Sequence, residues 1–220
     1  MNKIKILLLL AVTSLSAQDW SDLKRYKLEN KNLPPASSGR VVFMGNSITQ
    51  NWVENQPKFF TNNDYIGRGI SGQTTAQMLL RFRQDVLNLD PKIVVLLAGT
   101  NDIAENKGPT SLEEIVGNIE SMSILAIQNN IKVVLCSVLP ASNFSWRSGL
   151  NPAPKIIKLN GMIKTIAEKY SLIYLDYHTK MKNDYDGLPA SLAPDGVHPN
   201  NYGYKIMSSM VSQSIYSILK

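Results

Sequence analysis

Cysteine occurs once in 220 residues, at Cys136. A lone thiol excludes an intrachain disulfide scaffold and a cysteine-rich zinc site. Histidine is nearly as scarce. His178 and His198 are the whole complement, too few for a histidine-based metal centre. Charged residues make up 18% and hydrophobic residues 44%, which is too little charge and too much apolar content for a disordered chain. The net charge of +6 is not gathered into a Lys/Arg stripe, so no nucleic-acid groove is expected. No apolar run approaches the roughly 20 residues of a membrane-spanning helix. There is no Gly-x-x-x-x-Gly-Lys phosphate loop, no dinucleotide glycine fingerprint and no Gly-x-Ser-x-Gly elbow. Internal repeats and low-complexity tracts are also missing.

What the chain does have begins at its first residues. Lys3 and Lys5 precede the seven-residue apolar run Ile6 to Val12. Ser14-Leu15-Ser16-Ala17 then supplies small residues ahead of Gln18. This is the pattern of a secretory signal peptide over residues 1–17, and it predicts export to the periplasm or the extracellular space. No cysteine stands at the cleavage point, so no lipid anchor is expected there. Residues 18–39 read as an N-terminal arm and linker, with a short helix from Ser21 to Asn30 presenting Leu23, Tyr26 and Lys27. Pro34-Pro35 and Ser37-Ser38-Gly39 close that stretch, and residues 40–220 form one domain.

Within the domain the hydrophobic period alternates. Strands are predicted at Arg40 to Met44, Tyr65 to Ile66, Lys92 to Ala98, Ile131 to Val138 and Leu172 to Leu175. Between them, helical spacing runs from Thr75 to Leu87, from the Ser111-x-x-Glu114 capping box onward, from Pro154 through Ile166, and from Tyr202 to Ile218. Strands alternating with helices predict a three-layer α/β/α sandwich with a mainly parallel five-stranded sheet, flavodoxin-like in outline. Ligands in such sheets bind beyond the carboxyl ends of the strands, so the loops there carry the interest.

The first of these loops is Gly45-Asn46-Ser47-Ile48-Thr49. A serine at this point is either an ordinary helix cap or a nucleophile beside free backbone N–H groups. The second, Gly67-Arg68-Gly69-Ile70-Ser71-Gly72-Gln73-Thr74, is either a tight turn or a set of bare N–H donors. The third, Gly99-Thr100-Asn101-Asp102, offers the Asn101 amide, with Asp102 expected to bond local backbone. The fourth is Asp195-Gly196-Val197-His198-Pro199-Asn200. Here Asp195 can reach one ring nitrogen of His198 and leave the other as a base. His178 is the rival base. Asp176, two residues before it, is expected to point away as in a strand, which favours His198.

Serine, backbone donors, an amide and an Asp/His pair are the parts of an acyl-transfer site. In this order the four blocks resemble those of the SGNH (GDSL-type) hydrolase superfamily. Gly45 to Thr49 matches its serine block, Ser71 to Thr74 its glycine block, Gly99 to Asp102 the third and Asp195 to Pro199 the last. Arg68 to Phe82 is especially similar to the platelet-activating-factor acetylhydrolase-like branch. Two positions depart from the pattern. Asn46 stands where the superfamily usually has Asp, and Gly67 where related chains often carry Asn, which would remove a polar contact behind the serine.

The resemblance implies the SGNH hydrolase fold and a serine esterase with Ser47 as nucleophile, His198 as base and Asp195 as its orienting partner. It implies an oxyanion hole of the Ser47 N–H, the Gly72 N–H and the Asn101 amide, with no metal and no cofactor. The expected substrate is a short acyl ester, acetyl on a carbohydrate above others, since no lid-sized insertion separates the core strands. A lipase or lysophospholipase, a non-catalytic glycan-binding module and a flavin- or nucleotide-binding protein are the rival readings. Phe144 and Trp146 in the 141–151 loop serve either as substrate contacts or as an aromatic plug.

Overall fold

The computed structural model describes residues 19–220, so the segment read as a signal peptide lies outside the described residues. Five parallel strands form one sheet: β1 (Val41–Gly45), β2 (Tyr65–Gly69), β3 (Ile93–Leu97), β4 (Lys132–Cys136) and β5 (Ile173–Leu175). Their order across the sheet is β2-β1-β3-β4-β5, the flavodoxin-like arrangement expected from the alternation of strand and helix. Every residue of β1 and β3 is buried, because helices cover both faces.

Strand alternation sorts the core into two clusters. Val42 and Met44 of β1, Val94 and Leu96 of β3, and Val133 and Leu135 of β4 face one side. They pack on α4 (Thr75–Asp85), α6 (Leu112–Gln128) and α7 (Pro152–Lys169) through Met78, Phe82, Ile119 and Ile163. Val41, Phe43, Val95, Leu97, Val134 and Cys136 face the other. They meet α2 (Ser47–Asn55), α3 (Pro57–Thr61), α8 (Tyr177–Met181) and α9 (Asn201–Leu219).

The helices begin where their sequences direct. Ser111 and Glu114 exchange the bonds of a capping box ahead of α6. Pro152 opens α7, two residues earlier than Pro154. Asn200 caps α9, its Oδ1 accepting from the N–H groups of Tyr202 and Gly203. The arm differs from expectation. Its helix, α1, runs Lys27–Asn32. Asp22 adopts a left-handed φ of 50°, and Asp19 accepts from the N–H groups of Leu23 and Lys24, so residues 20–26 turn before the helix starts. Of the expected face only Tyr26 is buried.

Two short helices, α5 (Thr100–Ile103) and α8, arise in stretches read as loop, and α3 in a stretch given no element. The positions that matter most are the ends of β2, β1 and β3. These three neighbours point their carboxyl ends the same way, with Gly45 level with Gly69 and Leu97. The first three loops therefore emerge side by side.

Candidate active site

Ser47 is the first residue of α2. Its N–H belongs to the opening turn of the helix and has no acceptor within it. Asn46 is the N-cap, and its Oδ1 accepts from the Ile48 N–H at 3.0 Å. That bond needs only an acceptor, so an amide serves there as a carboxylate would. Behind the serine, α2 is pinned by aromatics. Trp52 stacks between Phe59 and Tyr204, at 5.7 and 5.8 Å, and donates its N–H to Ser208 of α9. The Tyr204 hydroxyl donates to the Ile48 carbonyl at 2.8 Å. The serine helix and the helix that follows the histidine loop are thus held to one another.

His198 lies 151 residues from Ser47 along the chain, yet its Nε2 is 2.9 Å from Ser47 Oγ. Its Nδ1 is 2.6 Å from Asp195 Oδ2. Asp195 Oδ1 accepts from the backbone N–H groups of Val197 and His198 at 2.9 and 2.8 Å, a turn that Gly196 permits with a φ of 76°. Partial burial works against the Asp195 charge. The bonds from the His198 ring and the two N–H groups outweigh it and hold the carboxyl below the usual carboxylate range. An ionised Asp195 only accepts, so Nδ1 carries the proton and Nε2 is left to accept from Ser47.

The second and third loops interlock. Asn101, buried at the start of α5, donates from Nδ2 to the Gln73 carbonyl at 2.9 Å. That carbonyl is one residue beyond Gly72, whose φ is 75° and whose missing Cβ faces open space. The other glycines of this loop are spacers. A Cβ on Gly69 would sit 2.6 Å from the Asn46 carbonyl oxygen, and one on Gly67 would collide with Val53. Val53 therefore fills the space at Gly67.

Asp102 reaches further than the sequence reading: beside its own backbone N–H, its carboxylate binds a distant helix. It accepts from the Thr75 N–H at 3.0 Å and the Thr75 hydroxyl at 2.6 Å, capping α4 from 27 residues away. Burial pushes its carboxyl up, against the pull of the Thr75 bonds.

Arg81 was not anticipated. Fully buried on α4, it donates from Nη2 to the Gly45 carbonyl at 2.9 Å and from Nε to Gln73 Oε1 at 2.5 Å, and it pairs with buried Asp85 at 3.0 Å. One guanidinium therefore spans the loop before Ser47 and the loop after Gly72. An Arg four residues before an Asp in a predicted helix was the only available sign.

His178 sits apart from this group. It lies on α8, not in a strand. Asp176 turns from it for a different reason than strand alternation: its Oδ1 caps the helix by accepting from the Thr179 N–H. The 141–151 loop divides its aromatics. Phe144 is wholly buried in the core, whereas Trp146 is 44% exposed with its ring 6.2 Å from that of His198.

The chain resembles solved structures over most of its length. An acylhydrolase from Bacteroides fragilis shares 45% identity, covers 92% of this chain and 100% of its own, and gives a TM-score of 0.90. A Streptococcus pneumonia protein described as a platelet activating factor shares the fold at 21% identity and a TM-score of 0.76, over 88% of this chain and 91% of its own. Among curated relatives, an acetylxylan esterase of Xylanibacter ruminicola is 27% identical over 60% of this chain, and the match spans 30% of that protein's length. The GDSL-like lipase/acylhydrolase family matches residues 43–206, a span that takes in all four loops. The chain belongs to the GDSL-like lipase/acylhydrolase family.

Proposed function

We propose that this protein is an exported serine esterase that removes short acyl groups, above all acetyl, from carbohydrate. The observation that carries the reading is the pair of contacts from Ser47 Oγ to His198 Nε2 and from His198 Nδ1 to Asp195. Ser47 Oγ attacks the ester carbonyl carbon while its proton passes to Nε2. Asp195 stabilises the imidazolium. The oxyanion takes hydrogen bonds from the N–H groups of Ser47 and Gly72 and from Asn101 Nδ2. Collapse breaks the bond to the alcohol, which leaves with the proton from Nε2. Water then attacks the acyl-enzyme, gives its proton to Nε2, and the carboxylic acid departs as Ser47 regains it.

Two observations favour a small acyl group on a carbohydrate. Phe144 of the 141–151 loop, and Leu188 and Leu192 of the loop over residues 182–199, are spent on the core, which leaves little wall for a long chain. Burying each further CH₂ is worth ~0.8 kcal/mol only where such a wall exists. Trp146, exposed beside His198, offers a face on which a sugar ring can stack. The name of the Xylanibacter relative, an acetylxylan esterase, points the same way. Export rests on the leader-like residues 1–17, and no helix among the described residues is long and apolar enough to cross a membrane.

The test is an acyl-length series of chromogenic esters, followed by acetate release from acetylated xylan. The specificity constant should be highest for acetyl, and a phosphonate ester should titrate one site per chain. A constant that climbs through octanoyl and beyond would make the protein a lipase or lysophospholipase. No phosphonylation and no turnover would leave a glycan-binding module.

A further inference from the structure

A side-chain amide has a donor end and an acceptor end of nearly equal shape. Only the donor end of Asn101 stabilises an oxyanion. The reversed amide would present a lone pair to it. The structure contains a chain of bonds that decides between the two. Trp146 Nε1–H donates to Asn106 Oδ1 at 3.0 Å. Asn106 Nδ2 donates to Asn101 Oδ1 at 2.7 Å. Asn101 Nδ2 donates to the Gln73 carbonyl at 2.9 Å. An indole N–H can only donate, and a carbonyl can only accept. With one at each end, a single orientation satisfies both amides between them. Reversing Asn101 would set oxygen against the Gln73 oxygen and NH₂ against the NH₂ of Asn106. Gln73 uses one N–H of Asn101 Nδ2, which leaves the second for the substrate.

We propose that Asn106 is a positioning residue that holds the Asn101 amide donor-end inward, and that Trp146 orients Asn106 in turn. The proposal rests on the reading of Asn101 as an oxyanion donor. The backbone supports it: the Asn106 N–H donates to the Asn101 carbonyl at 3.0 Å, so the two residues are joined by main chain and side chain alike. The neighbouring pair reinforces the contact. Glu105 lies 3.5 Å from Arg147 and 3.6 Å from Lys155, which ties the loop and α7 to the same turn. Trp146 thereby links the surface beside His198 to the amide of the oxyanion hole. A sugar stacked on its ring bears on the bond that fixes that amide.

The test is a double-mutant cycle on p-nitrophenyl acetate, with kcat and KM read separately and folding checked by thermal melting. Asn106→Ala should lower kcat by about 10- to 100-fold with KM within about twofold, a smaller loss than the ~10²–10³ for deleting a donor outright. Because Asn106 acts through Asn101, the Asn101→Ala/Asn106→Ala pair should lose no more than Asn101→Ala alone. Trp146→Phe keeps a ring and removes the N–H. It should lower kcat by about 3- to 10-fold in the native background and have no effect on Asn101→Ala. Multiplicative losses, a change in KM alone, or full kcat in Asn106→Ala would overturn the role. If Asn106→Ala fails to fold, the Trp146→Phe cycle decides by the same criterion. Ser47→Ala separates the two levels. If it retains turnover, the active-site reading is wrong. If it is inactive while the cycles are multiplicative, only the positioning role falls.

Discussion

The guanidinium of Arg81 and the carbonyl of Gly45 are joined at 2.9 Å, 36 residues apart in sequence. Gly45 ends the strand that delivers Ser47, so a charge deep in the molecule sets where the serine loop leaves the sheet. Arg81→Met would keep the packing of the side-chain stem. It would strand Asp85, which is buried and would keep only the bond from Asn30 Nδ2 at 2.8 Å. Breaking such a pair costs about 3–5 kcal/mol. Urea unfolding should show a loss of that size, and turnover should fall even where the variant is folded. A variant as stable and active as the parent would remove Arg81 from this role.

The two histidines should part company in assay. If the proposed mechanism holds, His198→Ala should lose turnover by about 10³-fold or more, because the proposed base and acid of the reaction go together. His178→Ala should keep most activity, since the backbone N–H that anchors it on Ser137 is retained. Comparable losses in both would contradict the pairing of Ser47 with His198.

The glycines of the second loop should respond oppositely. At Gly69 an added methyl would meet the backbone of α2 around Asn46 and Gln50. Gly69→Ala should therefore displace Ser47 and sharply reduce both melting temperature and rate. Gly72→Ala meets open space and carries only the strain of a positive φ, about 1–2 kcal/mol. It should fold. Equal behaviour of the two would count against the close approach of β2 and α2.

His178 predicts a pH dependence of stability. Burial pushes its imidazole below the usual range, with the Asp176 carboxylate opposing and Lys182 assisting. The folded state then binds fewer protons than the unfolded one. The contribution is present above the unfolded value, about 6.5, and is lost as pH falls through that value towards the folded one. The fall in melting temperature between pH 7.5 and pH 5 should be smaller in His178→Asn than in the parent. An unchanged fall would assign the dependence to other groups.

The sheet was legible because its strands are buried on both faces. Val41 to Met44 and Ile93 to Leu97 read as continuous apolar runs that few other structures tolerate. The four loops were legible because chemistry-bearing residues followed those runs. What escaped were contacts made at a distance. Nothing near Asp102 in sequence announces that its carboxylate caps Thr75, and nothing around Asn106 announces Trp146, 40 residues on. The short helix α8 escaped for a local reason: five residues give no hydrophobic period, and only the Asp176 cap marks it. Phe144 and Trp146 were indistinguishable by composition, because the backbone of the loop alone decides which ring turns inward.

Ser47 follows the first strand, and His198 precedes the last helix. A growing polypeptide therefore makes its serine early and its histidine almost last. Any chain halted before residue 198 holds the hydroxyl without the imidazole. Docking of α9, through Tyr204 on Ile48 and Ser208 on Trp52, secures the meeting of the two. On the proposed mechanism, ester cleavage would report completion of the fold, and an acetate assay on a refolding sample would time the arrival of the C-terminal helix.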